Sequence, residues 1–150
     1  MTWDIDSVIK RIYWAAEHHE GVDWQQVHFL GKILARYDGD QVIPRLLALC
    51  GEECRGERYI YIVQEYVGQL LWRLKLKCSL PPTDLLRPIL KTYELSVEQI
   101  PWALAHAFGK ESFIASLKEL QDQTSDPVER RSIKTLEWWL QAFDSPYSGT

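Results

Sequence analysis

The residues with the most evident chemical capacity gather in two places. His18 and His19 stand among Glu17, Glu20 and Asp23, with His28 a little further on. Imidazoles share a metal when they lie on one helix face, three or four residues apart, whereas adjacent ones point about 100° apart. No His-Glu-x-x-His run occurs. The cluster therefore reads as a solvated helix end, where positive character suits the helix dipole. Cys50 and Cys54 are the second place, a C-x3-C pair with Cys78 far downstream. Zinc would need a fourth ligand and a second pair, so free thiols packed as small apolar groups are expected, and neither a metal nor a cofactor. The stretch Gly51-Glu52-Glu53-Cys54-Arg55-Gly56 carries two carboxylates where a phosphate cradle needs none. No Gly-x-Ser-x-Gly elbow is present, and no carboxylate sits in an apolar run that would raise its pKa. No reaction is read from these residues, and the expectation is a protein that is not an enzyme.

Binding chemistry is better represented. Seven Trp and seven Tyr occur among 150 residues, more than a core of this size needs. Tyr61, Glu65, Gly68 and Trp72 recur at i, i+4, i+7 and i+11, so they share one helix face away from Ile60, Val63 and Val67. Trp102, His106 and Trp138 also lie off the apolar stripes of their segments. Carboxylates concentrate in turns, as Asp38 and Asp40, then Glu52, Glu53 and Glu57. Aromatic rings anchor protein interfaces and carboxylates steer basic partners. The predicted partner-binding set is Asp38, Asp40, Glu52, Glu53, Glu57, Tyr61, Glu65, Trp72 and Trp102. The plainer alternatives are rings packed between neighbouring helices and carboxylates that are only solvated.

The elements that must position these residues read as helices from end to end. Asp4 or Asp6 caps the first, with Ile5, Val8, Ile9, Ile12 and Ala16 inside. Asp23 caps the second, with Val27, Leu30, Leu34 and Tyr37 buried. After the turn Asp38-Gly39-Asp40 comes a short helix through Val42, Ile43, Leu46, Leu47 and Cys50, with Pro44 in its first turn. The longest helix runs over 57–77. Tyr59 to Ile62 favour a strand, but the stripe Ile60, Val63, Val67, Leu70, Leu74 continues for nearly six turns. Pro81-Pro82 ends that stretch, and a short helix follows over 84–93. Ser96 and Gln99 fit a capping box for a helix over 97–108. Helices over 111–121 and from Asp126-Pro127 to Phe143 complete the chain, the last with Val128, Ser132, Ile133, Leu136, Leu140 and Phe143 inside. One helical domain over 1–143 and a loose tail over 144–150 are expected.

Gly31, Gly68 and Gly109 recur at intervals of about 40 residues, near the period of paired-helix repeats. The tails Val27-His28-Phe29-Leu30-Gly31, Glu65-Tyr66-Val67-Gly68 and His106-Ala107-Phe108-Gly109 align, and Asp126 to Leu136 makes a fourth copy. That copy resembles the first helix of a HEAT repeat, in which Asp and Pro open the helix, an Arg follows and a Leu-Gly pair comes later. Glu137 takes the glycine's place, after a shorter interval than the others. The resemblance covers most of residues 22–143 and implies an all-α fold, a short HEAT- or armadillo-like α-solenoid of about eight helices, with the first helix as a cap. An ordinary bundle with glycines at close crossings is the alternative.

The net charge of −4 disfavours non-specific grip on nucleic acid. The first residues lack the basic start and apolar run of a signal peptide, and no stretch approaches ~18 apolar residues, so a cytoplasmic protein without membrane contact is expected. In size, charge and architecture the chain resembles immunity proteins that neutralise bacterial toxins. That resemblance implies a basic toxin domain, of nuclease type, as the partner. The rivals are a HEAT-like DNA glycosylase, which needs a basic face where here only Arg73, Lys75 and Lys77 are dense, and an adaptor or chaperone subunit of a larger complex.

Overall fold

Aspartates open four of the helices, each by accepting a backbone N–H that the first turn leaves unpaired. Asp4 Oδ1 accepts from Ser7 N at 2.9 Å, Asp23 from Gln25 N at 2.9 Å, Asp38 from Gln41 N at 3.0 Å and Asp126 from Val128 N at 2.8 Å. Gln41 returns the favour by accepting from Asp38 N at 3.2 Å, a reciprocal box absent from the sequence reading. The computed structural model describes residues 3–18, 20–51 and 57–143; the side chains of 57, 58, 142 and 143 lie outside that description. So do the tail after Phe143 and the stretch bearing Glu52, Glu53 and Cys54. The described residues form α1 (Ile5–His18), α2 (Trp24–Leu34), α3 (Gly39–Gly51), α4 (Glu57–Leu74), α5 (Pro82–Leu86), α6 (Gln99–Phe108), α7 (Lys110–Gln123) and α8 (Pro127–Phe143), with a 3-10 turn at Arg87–Ile89. Among them there is no strand, and the fold is all-α.

Several boundaries differ from the expected ones for identifiable reasons. The Asp38 cap starts α3 at Gly39, so Pro44 lies in the helix interior rather than its first turn. The backbone bond it cannot make is the one to the Asp40 carbonyl. The helix expected over 84–93 stops at Leu86 and tightens into the 3-10 turn, where Pro88 has no N–H to continue it. The Ser96–Gln99 capping box does not form: Ser96 Oγ donates to Glu94 Oε1 at 3.3 Å, and α6 begins at Gln99 without a side-chain cap. Val128, expected inside, is 43% exposed at the start of α8.

Two ranks of helices share one continuous core. In the first, α2 packs on α4, α4 on α6 and α6 on α8; in the second, α1 packs on α3, α3 on α5 and its 3-10 turn, and α5 on α7. The four aligned segments, three of which bear a glycine, fall on α2, α4, α6 and α8, with Gly109 directly after α6. In this rank α2 and α4, and likewise α4 and α6, run parallel. Asp23 meets Tyr66, Gly31 meets Leu70 and Arg73, Gly68 meets Gln99 and Ile100, and Lys77 meets His106. The three glycines nevertheless do different work. A Cβ on Gly31 would meet only ordinary contacts, the nearest at 3.8 Å, whereas one on Gly68 would stand 3.1 Å from Val97 Cγ1. Gly109 turns the chain between α6 and α7 at φ +87°.

Helix α4 carries the widest buried surface, touching α1, α2, α3 and α6. Ile62, Val63, Tyr66, Val67, Leu70 and Leu71 are all buried, so its stripe is far wider than the expected Ile60–Leu74 line. Gln64 is also fully buried. Its amide N–H groups donate to Thr92 O at 2.6 Å and Cys50 O at 3.3 Å, and its carbonyl accepts from Glu94 N at 2.6 Å. That one side chain ties the end of α3 and the irregular 90–98 segment to α4, which explains why the backbone there is not free to begin α6 at Val97. No helix among the described residues is long and apolar enough to cross a membrane.

Gln64→Leu leaves Thr92 O and Glu94 N without this partner, while Cys50 O keeps the Thr92 hydroxyl at 2.7 Å and the volume is roughly conserved. It is expected to cost about 2–4 kcal/mol, from the desolvation of buried unpaired groups. Urea denaturation measures it, and a loss below about 1 kcal/mol would mean that water or a shifted loop replaces the amide.

Candidate functional site

The parallel rank brings one tryptophan or more from each of its four helices into a row. Trp72 closes α4 and Trp102 lies early in α6, with ring centroids 5.8 Å apart. Trp102 meets Trp139 of α8 edge-on at 6.3 Å, and Trp139 meets Trp138 at 4.6 Å. On the other side Trp24, the first residue of α2, shares a cleft of about 330 Å³ with Trp72, Gln69, Arg73 and Lys75. The middle of the row is half-buried and its indole N–H groups are used: Trp102 Nε1 donates to Trp139 O at 3.0 Å and Trp139 Nε1 to Leu95 O at 2.8 Å. The ends are open, with Trp24 60% and Trp138 57% exposed. The middle rings therefore pack the helix seams, and the end rings carry apolar surface that nothing among the described residues covers.

Cations border the row where α4 ends. Lys75 is a non-glycine residue with positive φ, 49°, at the position where a helix commonly ends on glycine. Placing a lysine there costs roughly 1–2 kcal/mol of backbone strain. The turn aims its ammonium over the Trp72 ring, 3.2 Å from the centroid. Desolvation holds the Lys75 pKa below its ordinary value. Arg73 Nη2 donates to His28 Nδ1 at 2.8 Å, which fixes the guanidinium against α2. Lys77 Nζ donates to the His106 carbonyl at 2.8 Å at the end of α6. Burial, together with the charges of Lys77 and Lys75, pushes the His106 pKa down.

At the other end of the α4–α6 seam the charge is reversed. Tyr61 donates its hydroxyl to Glu65 Oε1 at 2.8 Å, and that bond, burial and the nearby Glu65 and Glu94 charges raise the tyrosine's pKa. Tyr61, Glu65 and Trp72 thus lie along one seam, with Gly68 closing its middle against α6, and Trp102 joins them at the Trp72 end. Asp38 and Asp40 do not. Asp38 caps α3, and Asp40 accepts from both Ser79 N and Ser79 Oγ, which lowers its pKa. Gly39 between them has no room for a side chain, since a Cβ would stand 1.8 Å from Lys77 O. This turn is a clamp on the segment leaving the C-terminal end of α4. Glu57 is the first residue of the same 18-residue helix, so its backbone lies about 27 Å away along the axis. The expected acidic residues are therefore not gathered on one edge; Glu52 and Glu53 lie outside the described residues.

Trp24, Trp139 and the pairing of Lys75 with Trp72 escaped the sequence reading. Trp24 directly follows the cap residue Asp23 and Trp139 neighbours a ring already singled out, so both carried a position signal. A second aromatic cluster lies on α1, where the Arg11 guanidinium stands 4.7 Å from the Trp14 ring and 5.5 Å from Trp3. Trp3 in turn meets Phe29 at 5.0 Å. His18 stacks on Trp14 and its Nδ1 lies 2.7 Å from Trp14 O. Among the described residues no group of three His, Cys, Asp or Glu side chains is arranged to hold a metal. Cys50 is buried, and burial pushes the Cys78 thiol pKa up, away from the reactive thiolate. Comparison with protein-family models, with characterised proteins and with solved structures gave no match.

His106 makes stability depend on pH in a defined direction. With its folded pKa depressed, the unfolded chain, at about 6.5, takes up the proton first as pH falls. The contribution is therefore present above that value and lost as pH drops through the folded one. Urea midpoints are expected to fall between about pH 7.5 and about pH 5.5, with His106→Gln flattening that part of the profile. An unchanged slope in the variant would assign the dependence elsewhere.

Proposed function

We propose that this chain is a protein-binding module, a short α-solenoid whose α2–α4–α6–α8 rank meets its partner through the tryptophan row. The parallel packing of α2 on α4 and of α4 on α6 supports the solenoid reading, because a bundle of antiparallel neighbours would not repeat that way. The observation that carries the binding reading is the pair of exposed rings, Trp24 and Trp138, at the two ends of a row anchored by half-buried ones. Large rigid aromatic surfaces of this kind supply interface anchors at low entropic cost.

Among partner classes, a basic toxin domain is supported by the net charge of −4 and by the acidic half of the α4–α6 seam at Glu65 and Glu94. Asp38 and Asp40 add nothing specific to it, being engaged in the fold. A duplex-binding glycosylase is disfavoured, since a polyanion laid along the row would cross those carboxylates. The adaptor reading differs from the immunity reading in the partner's identity, not in the face used.

Immobilised full-length protein, incubated with extract of its native cells, is expected to retain one protein in near-equal amount. The double variant Trp24→Ala/Trp138→Ala alters only exposed rings and is expected to keep its helical circular dichroism. It is expected to lose about tenfold or more of that retention. Undiminished retention would overturn the aromatic face as the binding surface.

A further inference from the structure

Arg73, Lys75 and Lys77 stand together at the end of α4, and among the described residues none of them is ion-paired with a carboxylate. Cations at a helix C-terminus are commonly explained by the helix dipole and the unpaired carbonyls there. That explanation covers Lys77, which bonds the His106 carbonyl. It does not cover the other two. Arg73 points to His28 on α2, and Lys75 lies over Trp72. Both line the cleft that Trp24 and Trp72 share, and Lys75 does so from a left-handed backbone that a glycine would adopt without strain.

Resting on the binding-module reading above, we infer that this cleft is a subsite for an acidic segment of the partner protein: an apolar side chain sits between Trp24 and Trp72, and a flanking Asp or Glu carboxylate meets Arg73 and Lys75. The guanidinium, held by one N–H on His28, keeps further donors for a carboxylate oxygen. The ammonium, already stripped of part of its water over the indole, loses less hydration on pairing. A single-stranded nucleic acid also combines stacking with cations, but it needs positive charge along its whole track. Here the positive charge ends at Trp72, and the seam continues to Glu65 and Glu94. The surface is bipolar, so it suits a peptide carrying acid at one end and not a polyanion. Bipolarity also fixes the direction in which the segment lies across the rank.

Dye-labelled peptides of one frame, Gly-Ser-X-Leu-X-Leu-Ser with X as Glu, Gln or Lys, test this by fluorescence anisotropy against the full chain, beside a thymidine oligonucleotide of similar length. The Glu peptide is expected to bind about tenfold tighter than the Gln and Lys peptides at low salt, with the preference shrinking as salt is added. Arg73→Gln/Lys75→Gln is expected to abolish the preference, so that the Glu and Gln peptides bind alike. Trp24→Ala is expected to weaken all three peptides. Equal affinities, a preference for Lys, no measurable binding of the Glu peptide or tighter binding of the oligonucleotide would each overturn the carboxylate subsite. If the preference is absent while Trp24→Ala still reduces peptide binding or partner retention, the aromatic face stands and only the acidic assignment falls. If Trp24→Ala changes neither, the binding-module reading falls with it.

Discussion

Helix α4 is buried against four other helices, and a helix so enclosed has little room for an unsatisfied polar group. Among the described side chains of α4, Gln64 is the buried amide, and all its bonds go to backbone outside the helix. The bonds are directional where apolar packing is not. They therefore decide where the 90–98 segment crosses, and through it where α6 begins and which face α6 turns to Gly68. The tryptophan row inherits its geometry from that placement: Trp102 reaches Trp72 because α6 lies alongside α4 in parallel and at close range.

Parallel packing of like helices has a consequence for charge. Helices α2, α4 and α6 point their C-terminal ends the same way, so their negative ends lie toward one side of the molecule. Lysines and arginines collect there, and the acidic side chains of the seam lie nearer the opposite side, beside Tyr61. The face presented to a partner is thus graded in charge while its middle is apolar. Strain at Lys75 and the tied indoles of Trp102 and Trp139 keep the middle rigid, which lowers the entropy a partner loses in docking.

Local signals were legible wherever the physics is local. Asp23 and Asp126 announce helix starts because a cap needs only its own next turn, and the apolar stripes of α3 and α7 needed only the helical period. The expected capping box at Ser96 does not form: the Ser96 hydroxyl turns to the Glu94 carboxylate, while Gln64 of another element holds the Glu94 backbone N–H. The Asp38 box with Gln41 is equally local, although in the sequence this stretch reads only as a tight turn with its carboxylates in the partner-binding set. Asp38, Asp40 and Glu57 share their presence near turns, but turns at opposite ends of an 18-residue helix do not meet.

The sequence by itself determined that this is an all-helical chain, where most of its helices start, and that it carries more indole surface than a core of its size absorbs. Those properties depend on each residue and its near neighbours. Only the tertiary structure decided which rings meet, that Trp24 and Lys75 belong to the same cleft, and that Asp40 is bound to Ser79. Each of these is a distance between residues far apart in the chain, and such distances are set by how parallel helices pack, which no local spacing encodes.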